Sequence, residues 1–371
     1  MVFNTVHCER PKGVKQSALM IDKLLRLLTL SAFPIPRNER TSFNFLFLIS
    51  TFALMKKELR IVFMGTPDFA VESLKILVEN NYNVVGVITA PDKPAGRGLQ
   101  LMESAVKKYA IEKNLKVLQP TNLKAEEFLN ELKSLNANLQ IVVAFRMLPE
   151  AVWNMPALGT FNLHASLLPQ YRGAAPINWA IINGEKETGV TTFFLQHQID
   201  TGDIIAQEEV AIGENETAGE LHDKLMEIGS QLVLKTVKDI ENNTISTHPQ
   251  NNNQELKEAY KIFKPFCKVD WSKPIANIHN HIRGLSPYPT AWTEFKNKET
   301  GEIISCKLFK TSKEIESHQL KIGTIITTKT ELKIAATGGF IQILELQLAG
   351  KKRMATNELL RGFNFDNYTS A

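Results

Sequence analysis

Cysteine is scarce in this sequence, and neither a membrane-spanning run nor a nucleotide-binding fingerprint is present. The three cysteines, Cys8, Cys267 and Cys306, lie far apart without a CxxC pair, which excludes a disulfide framework and a cysteine-ligated zinc site. No stretch approaches the roughly 20 uninterrupted apolar residues of a spanning helix, so we expect a cytoplasmic protein with no membrane partner. No G-x-G-x-x-G follows an apolar run and no GxxxxGK[ST] occurs, which disfavours nicotinamide enzymes and P-loop NTPases.

Charge is distributed unevenly along a chain of otherwise ordinary globular composition, with 43% hydrophobic and 22% charged residues. The length of 371 residues allows two to three domains of roughly 150 residues each. Residues 1–57 carry a net charge of +6, residues 58–260 of −9 and residues 261–371 of +7. A basic end beside an acidic domain indicates an extended anionic partner such as a nucleic acid. On charge alone, lysines that merely solvate the surface are the favoured explanation.

Residues 1–57 lack the periodicity of a folded domain and consist of short apolar patches broken by prolines. The apolar stretch at 43–54, preceded by arginines, resembles the central region of a signal peptide. Residues 55–58, Met-Lys-Lys-Glu, look like an ordinary protein start immediately before a strand. We therefore expect residues 1–57 to be an extension outside the fold that arises from a wrongly assigned start of the reading frame.

From residue 59 onward, short apolar runs alternate with amphipathic stretches. This rhythm predicts an α/β fold whose N-terminal domain, at 58–240, is Rossmann-like with an open, mostly parallel sheet. The predicted strands are residues 59–64, 84–89 and 139–145. One predicted helix ends near residue 79, and two others span residues 103–113 and 125–135.

The C-terminal part of the chain has a different pattern. Residues 241–261, which begin with an Asn-rich stretch, are predicted to be a linker. Residues 262–371 then contain short apolar runs that predict a small β-barrel domain. The predicted strands of this domain are residues 303–309, 321–327, 331–336 and 340–348.

Two polar residues stand at the end of an apolar strand in the N-terminal domain. Asn162 and His164 are two positions apart and therefore point to the same side of an extended chain. Open α/β sheets bind ligands at the carboxyl ends of their strands. An amide donor beside an imidazole suits acyl transfer, and Asp200 could orient the imidazole. Each residue taken singly also fits a structural role in a turn.

Several long motifs, in order, resemble those of the formyltetrahydrofolate-dependent formyltransferases, and they extend over nearly everything after Met55. The central one is Asn-x-His-x-Ser-Leu-Leu-Pro-x-x-Arg-Gly-Ala-Ala-Pro at 162–176. It is followed by Gly-Val-Thr-Thr at 189–192 and Asp-Thr-Gly-Asp at 200–203. Further similar stretches lie at 63–70, 91–98, 282–292 and 349–354.

The resemblance implies a reaction and roles for the three candidate catalytic residues. The formyl group of 10-formyltetrahydrofolate, the donor substrate, would pass to the amino group of initiator methionyl-tRNA, giving N-formylmethionyl-tRNA for translation initiation. Asn162 would donate to the developing oxyanion, and His164 would polarise the same carbonyl. Asp200 would hold His164 and help to take the proton from the nucleophile. No metal is required.

The resemblance also implies binding residues and an OB-like form for the C-terminal barrel, a fold that often binds nucleic acid. We expect the chain to act as a monomer. The predicted folate-side wall consists of Ser166, Leu167, Leu168 and Pro169. The predicted tRNA contacts are Lys93 and Arg97 in the loop at 90–101, together with the basic cluster of Lys351, Lys352 and Arg353.

Two alternatives keep the same scaffold. One is formyl transfer to a small-molecule amine, a nucleotide or an amino sugar, but the chain continues past the linker and lacks a second domain with G-x-G-x-x-G. The other is a catalytically inactive RNA-binding relative, which the intact candidate residues disfavour. His279 and His281 could suggest a metal site. Without a carboxylate cluster nearby, we interpret them as polar surface residues.

Overall fold

A seven-stranded sheet organises the N-terminal domain in a computed structural model that describes residues 58–95, 100–251 and 255–370. Among the described residues, no helix is both long and apolar enough to cross a membrane. The elements of this domain are β1 (Arg60–Gly65), α1 (Asp68–Glu79), β2 (Asn83–Ile88), β3 (Lys93–Ala95), β4 (Gln100–Met102), α2 (Ala105–Glu112), β5 (Val117–Leu118), α3 (Glu126–Ser134), β6 (Leu139–Val143), α4 (Glu150–Trp153), β7 (Thr160–His164), β8 (Arg172–Gly173), α5 (Pro176–Ile182), β9 (Glu187–Phe194), β10 (Ile204–Ala211) and α6 (Ala218–Glu241).

The strand order in this sheet is β10-β9-β7-β6-β1-β2-β5. Strands β5, β2, β1, β6 and β7 run parallel, and β9 and β10 extend the sheet antiparallel beyond β7. The parallel strands end at one edge, where Val143 of β6 and His164 of β7 lie on neighbouring strands. This edge is the place where an open α/β sheet offers a ligand site.

Both faces of the sheet are covered, which explains why its central strands are apolar without alternation. Phe63 of β1 belongs to a core that includes Leu74 of α1 and Leu225 of α6. The next residue of β1, Met64, points to the opposite face and belongs to a core with Leu132 of α3. Successive residues of one strand therefore contribute to two hydrophobic layers.

The C-terminal domain is an antiparallel sheet rolled into a nearly closed barrel. The remaining elements are β11 (Glu258–Ala259), a 3-10 turn (Lys264–Cys267), α7 (Ile275–Gly284), β12 (Ala291–Asn297), β13 (Ile303–Ile315), β14 (Ile325–Thr327), β15 (Leu332–Ala336), β16 (Gly339–Leu348), β17 (Met354–Ala355), α8 (Thr356–Leu359) and β18 (Tyr368–Ser370). The strand order in the barrel is β14-β15-β16-β13-β12-β18, with β17 paired to β16. The two ends of the sheet meet where Ser370 Oγ donates to Gly323 O at 2.9 Å.

The predicted fold class is therefore confirmed: a Rossmann-like, mostly parallel sheet is followed by a barrel-like antiparallel domain. Most predicted strands agree within a few residues. The strand predicted at 321–327 begins only at Ile325, because Thr324 N bonds Lys321 O at 3.0 Å in a turn. The extension predicted at 1–57 lies outside the described residues.

A buried arginine joins the barrel domain to the N-terminal domain. Arg283, near the end of α7, is 5% exposed and donates from Nη1 to Gly213 O at 3.1 Å and Glu216 O at 2.9 Å. Next to it, Gly284 packs so closely on α5 that an added Cβ would lie 2.6 Å from Ile182 Cγ1. The two domains thus share a tightly packed contact in which a larger residue at 284 would clash.

Candidate active site

Asn162 and His164 both lie on β7, as the sequence predicts, with His164 its last residue. Asn162 pairs with Val142 of β6 on one side and with Phe193 of β9 on the other, so its backbone is fixed by two strands. His164 is 6% exposed. Both side chains belong to the more rigid part of the domain, which suits groups that must be held in place.

One ring nitrogen of His164 is committed to the backbone. Its Nε2 lies 2.8 Å from Tyr171 O, and because a carbonyl only accepts, we assign a hydrogen to Nε2. The other nitrogen, Nδ1, lies 3.9 Å from Asp200 Oδ2. This distance is too long for a hydrogen bond but close enough for an ion pair when the ring is charged. Tyr171, to which the sequence pattern gave no role, therefore fixes the ring orientation.

Asp200 sits in the turn between β9 and β10 with φ of 54°. This left-handed conformation is one that aspartate tolerates better than most residues. Its Oδ2 accepts from Gly173 N at 3.0 Å. Burial lowers the pKa of the Arg172 guanidinium, and the negative charge of Asp200 acts in the opposite direction. A cation and a backbone amide thus accompany this carboxylate beside His164.

The predicted folate-side segment, Ser166 to Pro169, follows β7 directly and is held by two residues of the antiparallel strands. Thr191 Oγ1 donates to Ser166 O at 2.6 Å and accepts from Leu168 N at 3.1 Å. Gln207 Nε2 donates to the same hydroxyl at 2.9 Å and to Leu168 O at 3.0 Å. Thr191 lies in a motif that the sequence shows, but no role was predicted for it; strand alternation could have placed its side chain on the site face.

The segment predicted as a linker is bonded along the site. His248 forms a bridge with Ile204, and Tyr171 N donates to Lys257 O at 2.6 Å. Gln250, 9% exposed, donates from Nε2 to the carbonyls of Asp200 and Gly202, each at 2.8 Å. We define residues 248–251 and 255–259 as the connecting segment. A polar, Asn-rich composition gives no signal for these contacts, so sequence reasoning missed Gln250.

A cavity of about 460 Å³ opens between this segment and the turn that carries Asp200. Pro169 and Thr201 contribute from the N-terminal domain, and residues 256–261 close the other side. Asp200 lies between two lining residues, Ile199 and Thr201, but neither it nor Asn162 or His164 is part of the lining. A substrate group held there would lie beside the turn that carries Asp200.

A second charged cluster supports the turn that fixes His164. Tyr171 Oη donates to Glu185 Oε1 at 2.5 Å, and Lys257 Nζ donates to the same oxygen at 2.5 Å. Burial raises the pKa of Tyr171, and its bond to the Glu185 carboxylate adds to the shift. Burial also tends to raise the pKa of Glu185, but the bonds from Lys257 and Tyr171 outweigh it and lower that pKa. The tyrosine therefore stays neutral and the glutamate stays charged.

The predicted tRNA-contact residues lie on two separate structures. Lys93 is exposed on β3, which pairs with β4 in a hairpin after β2; Arg97 lies outside the described residues. The base of this hairpin is fixed, because Asp92 bonds both Lys107 and Gln119. β2 is three strand positions from β7, or about 14 Å along the same edge.

Lys351, Lys352 and Arg353 lie in the exposed turn between β16 and β17 of the barrel. Arg353 makes a two-point ion pair with Glu345, with both distances 2.7 Å, and stacks over Phe309. Its charge is therefore largely used within the domain. No ion pair is described for Lys351 or Lys352 within the ranges that the structure describes.

The interpretation of His279 as a surface residue is wrong. His279 is 1% exposed on α7 and its Nδ1 lies 3.0 Å from Thr311 Oγ1. Burial, together with the charges of Arg283 and Lys313, lowers its pKa to about 4. In the described part of the chain, no group of three or more His, Cys, Asp or Glu side chains is arranged to hold a metal.

An amide, an imidazole and a carboxylate at one sheet edge are the groups of an acyl-transfer site. Comparison with known proteins identifies the family. Residues 59–237 match the model "Formyl transferase", and residues 261–364 match "Formyl transferase, C-terminal domain". The chain belongs to the formyl transferase family.

Among its relatives, the methionyl-tRNA formyltransferase of Bacteroides thetaiotaomicron is 57% identical over 318 residues, which are 85% of this chain and 98% of that protein. The methionyl-tRNA formyltransferase of Flavobacterium johnsoniae is 59% identical over 311 residues, 84% of this chain and 98% of that protein.

Solved structures share the fold at lower identity. An N-formyltransferase from Helicobacter canadensis, in complex with folinic acid and dTDP-3-aminofucose, is 22% identical with a TM-score of 0.55, covering 80% of this chain and 100% of that one. HypX from Aquifex aeolicus in complex with tetrahydrofolic acid is 17% identical with a TM-score of 0.53, covering 85% of this chain and 51% of that one.

Proposed function

We propose that this protein transfers the formyl group of 10-formyltetrahydrofolate to the amino group of initiator methionyl-tRNA, producing N-formylmethionyl-tRNA and tetrahydrofolate. The observation that carries the proposal is the placement of Asn162 and His164 at the sheet edge beside Asp200. The substrate pair rests on relatives that are 57–59% identical over 98% of their length and are named methionyl-tRNA formyltransferases. A small-molecule acceptor is not favoured by these relatives.

In the proposed mechanism, the methionyl ammonium gives a proton to Asp200, directly or through water. Asp200 passes this proton to Nδ1 of His164, and the free amine attacks the formyl carbon. Asn162 donates to the oxyanion that forms. Because Nε2 of His164 is bonded to Tyr171 O, the ring can donate to the same oxyanion only from Nδ1, which requires the imidazolium. Asp200, 3.9 Å away, stabilises that charge. Collapse of the intermediate breaks the bond between the formyl carbon and N10 of the folate, and N10 takes up the proton from Nδ1 of His164. The new amide nitrogen gives its second proton to Asp200, which releases it to water.

We propose that the folate binds along the segment from Ser166 to Pro169, whose backbone is held by hydrogen bonds with Thr191. We propose that tRNA binds to Lys93 and Arg97 of the sequence stretch 90–101 and to Lys351 and Lys352 in the barrel turn. Arg353, paired with Glu345, is proposed to support that turn more than to contact phosphate.

The proposed division of labour assigns catalysis to residues 58–240, the connection to 241–261 and tRNA binding to 262–371. Residues 1–57 are proposed to have no part in it. The matched ranges 59–237 and 261–364 support these boundaries. We further propose that the protein works in the cytoplasm as a monomer.

The test is a formyl-transfer assay with the purified protein, 10-formyltetrahydrofolate and one of three acceptors: charged initiator methionyl-tRNA, free methionine or glycinamide ribonucleotide. We expect formyl transfer to the charged tRNA alone. An Asp200→Ala protein, prepared in parallel, controls for a contaminating enzyme. Transfer to glycinamide ribonucleotide but not to tRNA would refute the proposal in favour of a small-molecule acceptor.

A further inference from the structure

All hydrogen-bonding groups of the Gln250 carboxamide are used, and they join two pieces of the N-terminal domain. Its Nε2 donates to Asp200 O and Gly202 O, each at 2.8 Å. Its Oε1 accepts from Arg172 Nε at 3.1 Å and Nη2 at 2.6 Å. Two donors and two acceptor sites are the full capacity of a glutamine side chain. The amide orientation is therefore fixed, because exchanging O and N would oppose like groups at every contact.

Of the two pieces that Gln250 joins, one contacts the Asp200 carboxylate and the other is the turn that carries Asp200. Gly173, whose N–H donates to Asp200 Oδ2 at 3.0 Å, directly follows Arg172. The turn that carries Asp200 is held on both sides of Thr201 by the two carbonyl contacts. This turn is also held by the bond from Thr201 Oγ1 to Gln198 O at 3.1 Å and by the bridge between Ile204 and His248. Gln250 adds two side-chain donors from outside the turn.

We propose that Gln250 is a positioning residue for the catalytic reaction: it holds the Asp200 carboxylate against Gly173 and His164, so that the connecting segment completes the active site. This inference rests on the proposed function. Tyr171 N, which donates to Lys257 O at 2.6 Å, ties the second partner of His164 to the same segment. Both groups that flank the imidazole thus depend on Gln250 and Lys257, which lie after α6.

Two substitutions separate the two sides of the carboxamide. Gln250→Glu keeps an acceptor for Arg172 but loses both donors and places a carboxylate against two carbonyl oxygens. Gln250→Met, similar in length, loses both the donor contacts with the turn and the acceptor contacts with Arg172. If the hold on Asp200 matters, both variants lower kcat by about 10²-fold, the scale of a misplaced catalytic group, with KM for the formyl donor changed less than about threefold. Near-normal kcat in Gln250→Glu would overturn the proposal and indicate that only the Arg172 contact matters.

Gln140 provides the matched control. It is also buried, at 1% exposure, and accepts from Thr160 Oγ1 at 3.1 Å, but it lies towards the amino ends of β6 and β7. We expect Gln140→Met to lower the melting temperature at least as much as Gln250→Met while kcat stays within about twofold of wild type. Equal losses of kcat in both variants would reduce Gln250 to a structural role and overturn the proposal.

A double-mutant cycle between Gln250 and Asp200, measured by kcat, provides a second test. In an Asp200→Ala background, adding Gln250→Met is expected to lower kcat by less than about threefold, because the group that Gln250 positions is already absent. A full, multiplicative loss would show that Gln250 acts elsewhere and would overturn the proposal.

Amide hydrogen exchange separates this inference from the proposed function. Peptides that cover residues 196–204 are expected to exchange faster in Gln250→Met than in wild type or Gln140→Met. If wild type forms no formylmethionyl-tRNA but this exchange rises as expected, the proposed function fails and the hold on the turn stands. Unchanged exchange at 196–204 would overturn the inference whatever the activity.

Discussion

The imidazole of His164 is the most constrained group of the site at the scale of single residues. Its Nε2 is bonded to Tyr171 O and its Nδ1 faces Asp200, so only one ring nitrogen can serve the reaction. Asn162 is fixed two residues earlier on the same strand. In the proposed mechanism these groups act on one carbonyl and one amine, so losing any of them would remove stabilisation that the others cannot replace.

We therefore expect Asn162→Ala, His164→Ala and Asp200→Ala each to lower kcat by at least ~10²-fold, the scale of losing an oxyanion donor or an acid–base group. Turnover with charged initiator tRNA and circular dichroism of the same preparations check this. Near-normal turnover in any one of the three would remove that residue from the mechanism.

Two adjacent threonines allow the hold on the folate-side segment to be tested by a matched pair. Thr191 Oγ1 bonds Ser166 O and Leu168 N, whereas Thr192 Oγ1 lies 2.9 Å from Thr236 Oγ1 of α6. Thr191→Val should weaken binding of the formyl donor about tenfold, since two backbone groups lose their partner. Thr192→Val should lower stability but leave donor affinity unchanged. Donor affinity measured by titration decides; equal affinity in both variants would contradict the assignment.

At the scale of elements, the sequence predicts the features that local periodicity determines. The central strands are continuous apolar runs because both faces are covered, and their placement is confirmed. β12, α6 and β18 were not predicted. The contacts of Gln250 with the turn and of Tyr171 with Lys257 depend on bonds between residues far apart in the chain, which no short window of sequence contains.

Helix α7 carries a pH dependence of stability, because His279 is buried with its pKa lowered to about 4. In the unfolded chain the pKa is near 6.5, so the unfolded state binds the proton more readily between these values. The contribution is complete above about 6.5 and is lost as pH falls towards 4, in total roughly 3 kcal/mol. The wild-type melting temperature should therefore fall more steeply between pH 7.5 and pH 5 than that of His279→Gln. Parallel curves would contradict this.

At the scale of the whole molecule, the contacts described for the candidate site are made by residues that follow residue 58. A protein that begins at Met55 is expected to fold and to formylate tRNA with wild-type kcat, since the matched family region starts at residue 59. Melting temperature and turnover of the two proteins, compared side by side, check this. Loss of either in the shorter protein would assign the first residues a role in the fold.

Electrostatic attraction between the basic C-terminal domain and tRNA is also a property of the whole molecule. Changing Lys351 and Lys352 together to Gln should weaken tRNA binding and lower the slope of log K against log salt by about one unit for each phosphate that is no longer neutralised. The pair Lys321 and Lys329, exposed on the same domain, provides a control with an identical change in net charge. Equal effects of the two pairs on the salt slope would indicate non-specific attraction rather than a defined binding surface.

The seam of the barrel, where Ser370 bonds Gly323, has a consequence for how copies of the protein behave towards one another. Residues 368–370 pair with β12 through Phe295, Lys296 and Asn297. Without them, β12 would become an exposed edge strand whose free amides and carbonyls invite a strand from a second copy. Removing residues 368–371 should therefore produce self-association that rises with concentration in light scattering, while a uniform particle size at every concentration would contradict this. We therefore expect these three residues of one short strand to protect the barrel against aggregation.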